Sequence, residues 1–403
     1  MERGNGLDVG SGRIPDANDP GPFGTRFLGL VAPAIGRHLD PTRRPARRIL
    51  TLLLIAWVPL VVLTALHGDL VGDHVRVTLL RDFTVWARFV IALPMFAIAE
   101  PAVNRAAIRM LDEFSRRNLV PPERRAKFEA LLAGASRLRK SPVPEILTLL
   151  IVVALAVTGL QASPLGDATS WRWVAGATGH LRTPAARWCD WVSESVLVYW
   201  MMWMLWCLLA WTGLLARISL LGLRLIPTHP DRSGGLGFLG YGHARFAGIL
   251  GPISVVLSAA MVSDIHYSGA TLDSFKIPLG AYVVIGLLIL LAPLLVFAPR
   301  LAKLREAGVL DYGALANEYV EAFDRKWVQR RADPGEPLLG SADIQSLADM
   351  GNSHEAVLRI RPVPVDTRNL VMIVAGLVLP MVPFLAFVVP LRVMLTQVLK
   401  LIH

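Results

Sequence analysis

The chain has 403 residues, of which 54% are hydrophobic and only 18% charged, with a formal net charge of +10. That much apolar material with so few charges excludes an ordinary soluble domain. The basic excess calls for no nucleic acid, because its distribution follows a membrane topology.

Residues 1–40 are polar and rich in glycine and proline, and the start of this segment is expected to be disordered. "RRPARR" (43–48) then leads directly into the first apolar run, 49–66. This run is too long for a signal-peptide core and reads as an anchor that stays. Further apolar runs follow at 89–99, 146–160, 196–216, 246–262, 277–298 and 370–391. A bilayer core takes about 20 apolar residues in a helix. The sequence therefore predicts an all-α, polytopic transmembrane helical bundle of about seven spans, the last one Pro-kinked or re-entrant. The expected division is two spans in 41–103, a cytoplasmic helical hairpin in 104–143, four spans in 144–298, a cytoplasmic helical region in 299–369, and a span plus an amphipathic C-terminal helix in 370–403.

Of the 41 Lys and Arg residues, 32 fall in segments 1–48, 104–143, 216–245 and 299–369, eight fall in the alternate segments, and Arg88 lies inside a span. Such alternation predicts an N-terminus in the cytoplasm. Arg88 is expected to snorkel to the outer boundary and Glu100 to sit at the inner one. In the hairpin, Ile108, Leu111 and Phe114 form one apolar arm and Phe128, Leu131 and Leu132 the other, with "VPP" at 120–122 as the turn.

The fourth span, "WCDWVSESVLVYWMMWMLWCLLAW", holds Trp200, Trp203 and Trp206 on one slowly drifting face. They either pack against neighbours or line a pocket for an apolar ligand. Asp190 and Glu194, one turn apart near its outer end, read as partly solvated carboxylates or as a cation or proton site. Cys189 and Cys207 lie 18 residues apart, roughly 27 Å if on one helix, and cannot bridge there. No cysteine–histidine cluster has zinc spacing, and no cofactor fingerprint is present.

The loop "THPDRSGGLGFLGYGHARF" is the main candidate site. The glycine-rich stretch is placed at 227–243. Gly234, Gly235 and Gly237 permit positive φ and close backbone approach, so their amides can form an anion-binding nest. His229, Asp231, Arg232 and His243 add the polar groups that would hold a phosphate or lipid headgroup. The competing reading is a compact turn in which Asp231 caps the next element and pairs with Arg232. In the fifth span Ala244, Ala247, Gly248, Gly251, Ser254 and Ser258 make a small-residue packing face. Gly251–Pro252 there, and Pro380 with Pro383 in the last span, are candidate gating or packing positions.

In 299–369, Asp311 is an expected N-cap for a helix carrying Tyr312, Leu315, Tyr319, Phe323 and Trp327. Ser341 is expected to cap a second helix and Gly351 to interrupt or end it. The segments "HPDRSGGLGFLG" (229–240), "YGALANEYVEAFDRKW" (312–327) and "LLGSADIQSLADMGNS" (338–353) together resemble a bacterial family of uncharacterised multi-pass inner-membrane proteins. The resemblance covers about residues 40–400. It implies an inner-membrane helical bundle and transfers no catalytic residue.

Three function classes remain at this stage. One is a channel-like or transport-related homo-oligomer. Another is a scaffold or regulatory protein that binds a cytoplasmic protein partner. The third is a lipid- or envelope-modifying enzyme built on the 229–243 loop. Membrane lipids are the expected surroundings in each.

Overall fold

The computed structural model describes residues 44–72, 75–158, 170–176, 179–329 and 342–386. The expected disordered start, the cap at Ser341 and the amphipathic C-terminal helix lie outside the described residues.

The chain forms an all-α bundle with one small β-hairpin. Among the described residues, six helices are long and apolar enough to cross a membrane: α1 (Ala46–His67), α2 (Phe83–Arg116), α5 (Pro184–Ser219), α6 (Gly237–Ser268), α7 (Leu272–Leu295) and α10 (Thr367–Leu385). A seventh span arises if α3 (Arg125–Lys140) and α4 (Val143–Thr158), which bend by 40° at their junction, are counted together. The chain is thus a multi-pass membrane protein by the length and apolarity of its helices. Two further helices, α8 (Ala298–Phe323) and α9 (Ala342–Leu358), pack on each other beside the bundle. Strands β1 (Trp173–Gly176) and β2 (Gly179–Arg182) pair antiparallel, Trp173 opposite Arg182.

Several expected boundaries move. The first arm of the 104–143 hairpin is no separate helix, because α2 runs unbroken for 34 residues and carries both the second span and that arm. Asp311 lies inside α8, which begins at Ala298, and α9 passes through Gly351 to Leu358. Helix α6 starts at Gly237, so the second half of the glycine-rich stretch is helical. The reason is packing. A Cβ on Gly240 would stand 2.4 Å from the Pro364 carbonyl, and one on Gly242 would stand 2.5 Å from the Met110 sulfur. These glycines are needed for close approach, whereas Gly222, Gly234 and Gly235 adopt positive φ.

Helix α6 is the most enclosed of the spans. Its small residues meet α2 at Gly248–Ala99 and α10 at Ala247–Gly376. Without a hydrophobic drive between helices in lipid, such close van der Waals contact is what holds spans together. On the loop-rich basic face, Phe114 gathers Phe128, Phe238 and Phe297 within 6.4 Å, which ties α2, α3, α6 and the start of α8.

Proline carbonyls are answered from outside the helix. Pro59 in α1 cannot donate to the Ile55 carbonyl, and Trp188 Nε1 of α5 donates to it instead at 3.2 Å. Ser193 Oγ donates to the neighbouring Ala56 carbonyl at 2.8 Å. These bonds fix α5 against α1.

The packing argument predicts opposite outcomes for two glycines. A Cβ on Gly376 would meet that of Ala247 at 2.5 Å, so Gly376→Ala should lower stability by about 1–3 kcal/mol. Gly280 has nothing within 4 Å, and Gly280→Ala should be neutral or gain up to about 1 kcal/mol. Thermal unfolding in detergent compares them.

Candidate functional site

The 227–243 stretch is organised by Asp231. Its Oδ1 accepts from the amides of Ser233 (2.8 Å) and Gly235 (3.1 Å), and its Oδ2 accepts from Gly237 (2.7 Å). His229 Nδ1 accepts from the Asp231 amide at 3.3 Å and lies 2.9 Å from Asp231 Oδ1. The nest that the glycines create is therefore filled by the loop's own carboxylate. Gly237 is required here, because a Cβ would stand 2.9 Å from that of Asp231. Arg232 takes positive φ (55°) and its carbonyl accepts from the Arg361 amide at 2.8 Å, which fastens the loop to the segment entering α10. The Asp231 carboxylate is held by backbone amides, with no ion pair to Arg232 among the described residues. Arg232 is the group this leaves for an anion.

His243 does not join His229 and Asp231. It sits within α6, fully buried, stacked on Phe246 with ring centroids 4.3 Å apart. His266 packs edge-on against Phe83 and Tyr267, and among the described residues no three His, Cys, Asp or Glu groups are arranged as metal ligands.

The candidate gating positions do meet. Pro380 removes the amide that would bond the Gly376 carbonyl. That oxygen lies against Gly251, 3.3 Å from where a Cβ would stand, and the Pro380 ring is 3.7 Å from the same point. Pro252 is buried beside it, and Ser254 Oγ donates to the Gly251 carbonyl at 2.6 Å. Around Pro380 the last span tightens into a 3-10 turn at Leu379–Met381 before Pro383.

A second polar region lies at the opposite end of the bundle from the 227–243 stretch. Arg88 of α2 donates to Glu194 of α5, and both side chains are buried, at 9% and 5% exposure. Arg88 therefore does not snorkel, and Glu194 is no solvated carboxylate. Each partner is placed by a π-helical turn: Arg88 within Trp86–Ala92, and Glu194 directly after Cys189–Ser193. Such turns inside α-helices recur at functional sites. Next to this pair stands Arg172, just before β1 and 1% exposed. Its guanidinium lies 3.9 Å from Asp82 Oδ2, 3.8 Å from Asp190 Oδ1 and 4.8 Å from the centre of the Trp171 ring. These are charge contacts, and none of the three guanidinium nitrogens makes a hydrogen bond within the chain among the described residues. Asp82 is held by Thr84 and by Trp171 Nε1 (3.1 Å), and Asp190 by Arg182 (3.1 Å). Three arginines and three carboxylates thus balance one another under the β-hairpin. Midway along α2, Glu100 is buried and accepts from Arg48 at 2.9 Å.

Sequence reasoning missed Asp82, Arg172 and Arg182. It singled out Arg88, Asp190 and Glu194 without joining them. The available signal was the pairing of opposite charges in two different apolar runs, since an isolated one is costly there.

No family model, curated protein or solved structure matches the chain.

Two predictions follow from these geometries. Asp231→Ala strands three amides whose bonds to a charged acceptor are worth about 1.5–3 kcal/mol each, so it should cost about 3 kcal/mol or more, while Arg232→Ala costs under 1. Unfolding midpoints in detergent decide between a structural Asp231 and a dispensable one. Removing one partner of a buried ion pair costs about 3–5 kcal/mol, but replacing both by apolar groups is often neutral. Arg88→Met alone should therefore destabilise strongly, and adding Glu194→Met should restore most of the loss in a double-mutant cycle.

Proposed function

We propose that the chain is a transport-related, channel-like protein of the bacterial inner membrane that works as a homo-oligomer. The observation that carries this reading is the cluster of buried Arg88, Glu194, Arg172 and Asp82 with half-buried Asp190. Ionisable groups within apolar spans are expensive and mark ion or proton routes by default. Glu194 stands ten residues into α5, about 15 Å along its axis. The flanking π-helical turns and the glycine–proline contact between α6 and α10 supply places where helices can shift without breaking their whole ladder. The basic-residue distribution favours a cytoplasmic side for α8 and α9 and an outer position for the cluster. Spans α1, α7 and α10 bury little of themselves inside one chain, which leaves apolar faces for lipid or for further copies.

A second reading, a scaffold for a cytoplasmic protein, is favoured by one observation: Leu315, Tyr319 and Val320 of α8 are exposed apolar residues on a helix outside the bundle. The enzyme reading has the least support, because Asp231 is held by three amides and His243 is buried away from it.

Purified protein in liposomes tests the first reading. Native chain should pass protons or small ions well above empty vesicles, and Arg88→Met with Glu194→Met should cut that flux at least about ten-fold while the fold survives. Absence of flux for protons, sodium, potassium and chloride across pH 5–8 would sink it.

A further inference from the structure

Helices α3 and α5 pack side by side, yet a cavity of about 500 Å³ remains between them. That is within the size range of ligand pockets. Its walls are apolar and aromatic: Trp203, Trp206, Cys207 and Trp211 of α5 face Leu131 and Leu138 of α3. Two glycines, Gly134 and Gly213, line it from opposite helices. A Cβ on either would meet no atom within 4 Å. They differ in this from Gly242 and Gly376, where helix contact demands glycine. At Gly134 and Gly213 the missing side chain keeps the cavity open.

Two arginines complete the lining, Arg137 from α3 and Arg217 from α5. Both are exposed, and neither side chain makes an ion pair or hydrogen bond among the described residues. No Asp or Glu is among the described residues that line the cavity, so nothing in its wall answers these two charges. An apolar cavity whose lining cations are left unneutralised by the protein complements one chemistry, an acyl chain joined to an anionic headgroup. We propose that this cavity binds an anionic phospholipid, with its acyl chain on Trp203 and Trp206 and its phosphate held by Arg137 and Arg217. The guanidinium fork matches phosphate oxygens. A zwitterionic lipid brings an ammonium group that the same arginines repel, so the site selects by headgroup charge. The site shares no residue with the Arg88–Glu194 cluster and does not depend on a transport function.

Native mass spectrometry of the full chain in detergent tests this, with phosphatidylglycerol and phosphatidylcholine of identical acyl chains as probes. The native chain should retain one phosphatidylglycerol at about ten-fold lower lipid concentration than phosphatidylcholine. Arg137→Gln with Arg217→Gln should erase that preference, and these exposed positions leave the fold intact. Gly134→Leu, or Gly213→Leu on the facing helix, should fill the cavity and abolish retention of both lipids. Equal retention of the two lipids by the native chain overturns the proposal, as does an unchanged preference in the double glutamine variant.

Discussion

A charge that enters a bilayer must find its opposite there, and the bundle is arranged around that requirement. Arg88 and Glu194 are 106 residues apart in sequence and meet inside the membrane-spanning helices. Neither α2 nor α5 can hold its charge without the other. Once α2 and α5 are joined at this point, the loops beyond them are drawn into the same solution. Arg172 reaches Asp82 at the start of α2 and Asp190 on α5, and the hairpin β1–β2 follows it down onto the cluster. The fixing of α1 then follows from α5, whose Trp188 and Ser193 take the carbonyls around Pro59. One electrostatic demand thus sets the neighbours of three spans.

The opposite half of the bundle obeys a steric rule. There the glycines of α6 and α10 let backbones touch, and each has a named neighbour that a methyl group would strike: Gly240 the Pro364 carbonyl, Gly242 Met110, Gly376 Ala247. Within the glycine-rich stretch, glycine has two uses that look identical in the primary structure. Gly234 and Gly235 serve backbone dihedrals, while Gly240 and Gly242 serve contact. The loop and the helix that follows it divide the same glycine-rich stretch between these uses.

This division explains what could be read beforehand. The spans were legible because apolar length is a property of each segment alone, and Ala46–His67 or Leu272–Leu295 announces itself without a partner. The role of Asp231 as a cap was legible for a similar reason, since its partners lie within six residues. The true start of α6 was hidden, because the helix at Gly237 is held by Met110 and Pro364, which are far away in the chain. The cluster under the hairpin was hidden for the same cause: Arg172, before a short strand, gives no local sign that it will be buried against Asp82. Asp311 looked like a cap because its residue type suits one, yet α8 already runs through it on the strength of its contacts with α9.

The unbroken course of α2 has a mechanical meaning. Arg88 and Phe114 stand on one rod, 26 residues and about 39 Å apart. Arg88 is anchored among charges, and Phe114 among the aromatic rings of the basic face. Pro101 and the π-helical turn at Trp86–Ala92 interrupt the regular ladder of this helix, so it can bend at two places along its length. One continuous helix thus carries both a charged anchor and an aromatic one, and its two irregular turns divide it into segments that each anchor holds separately.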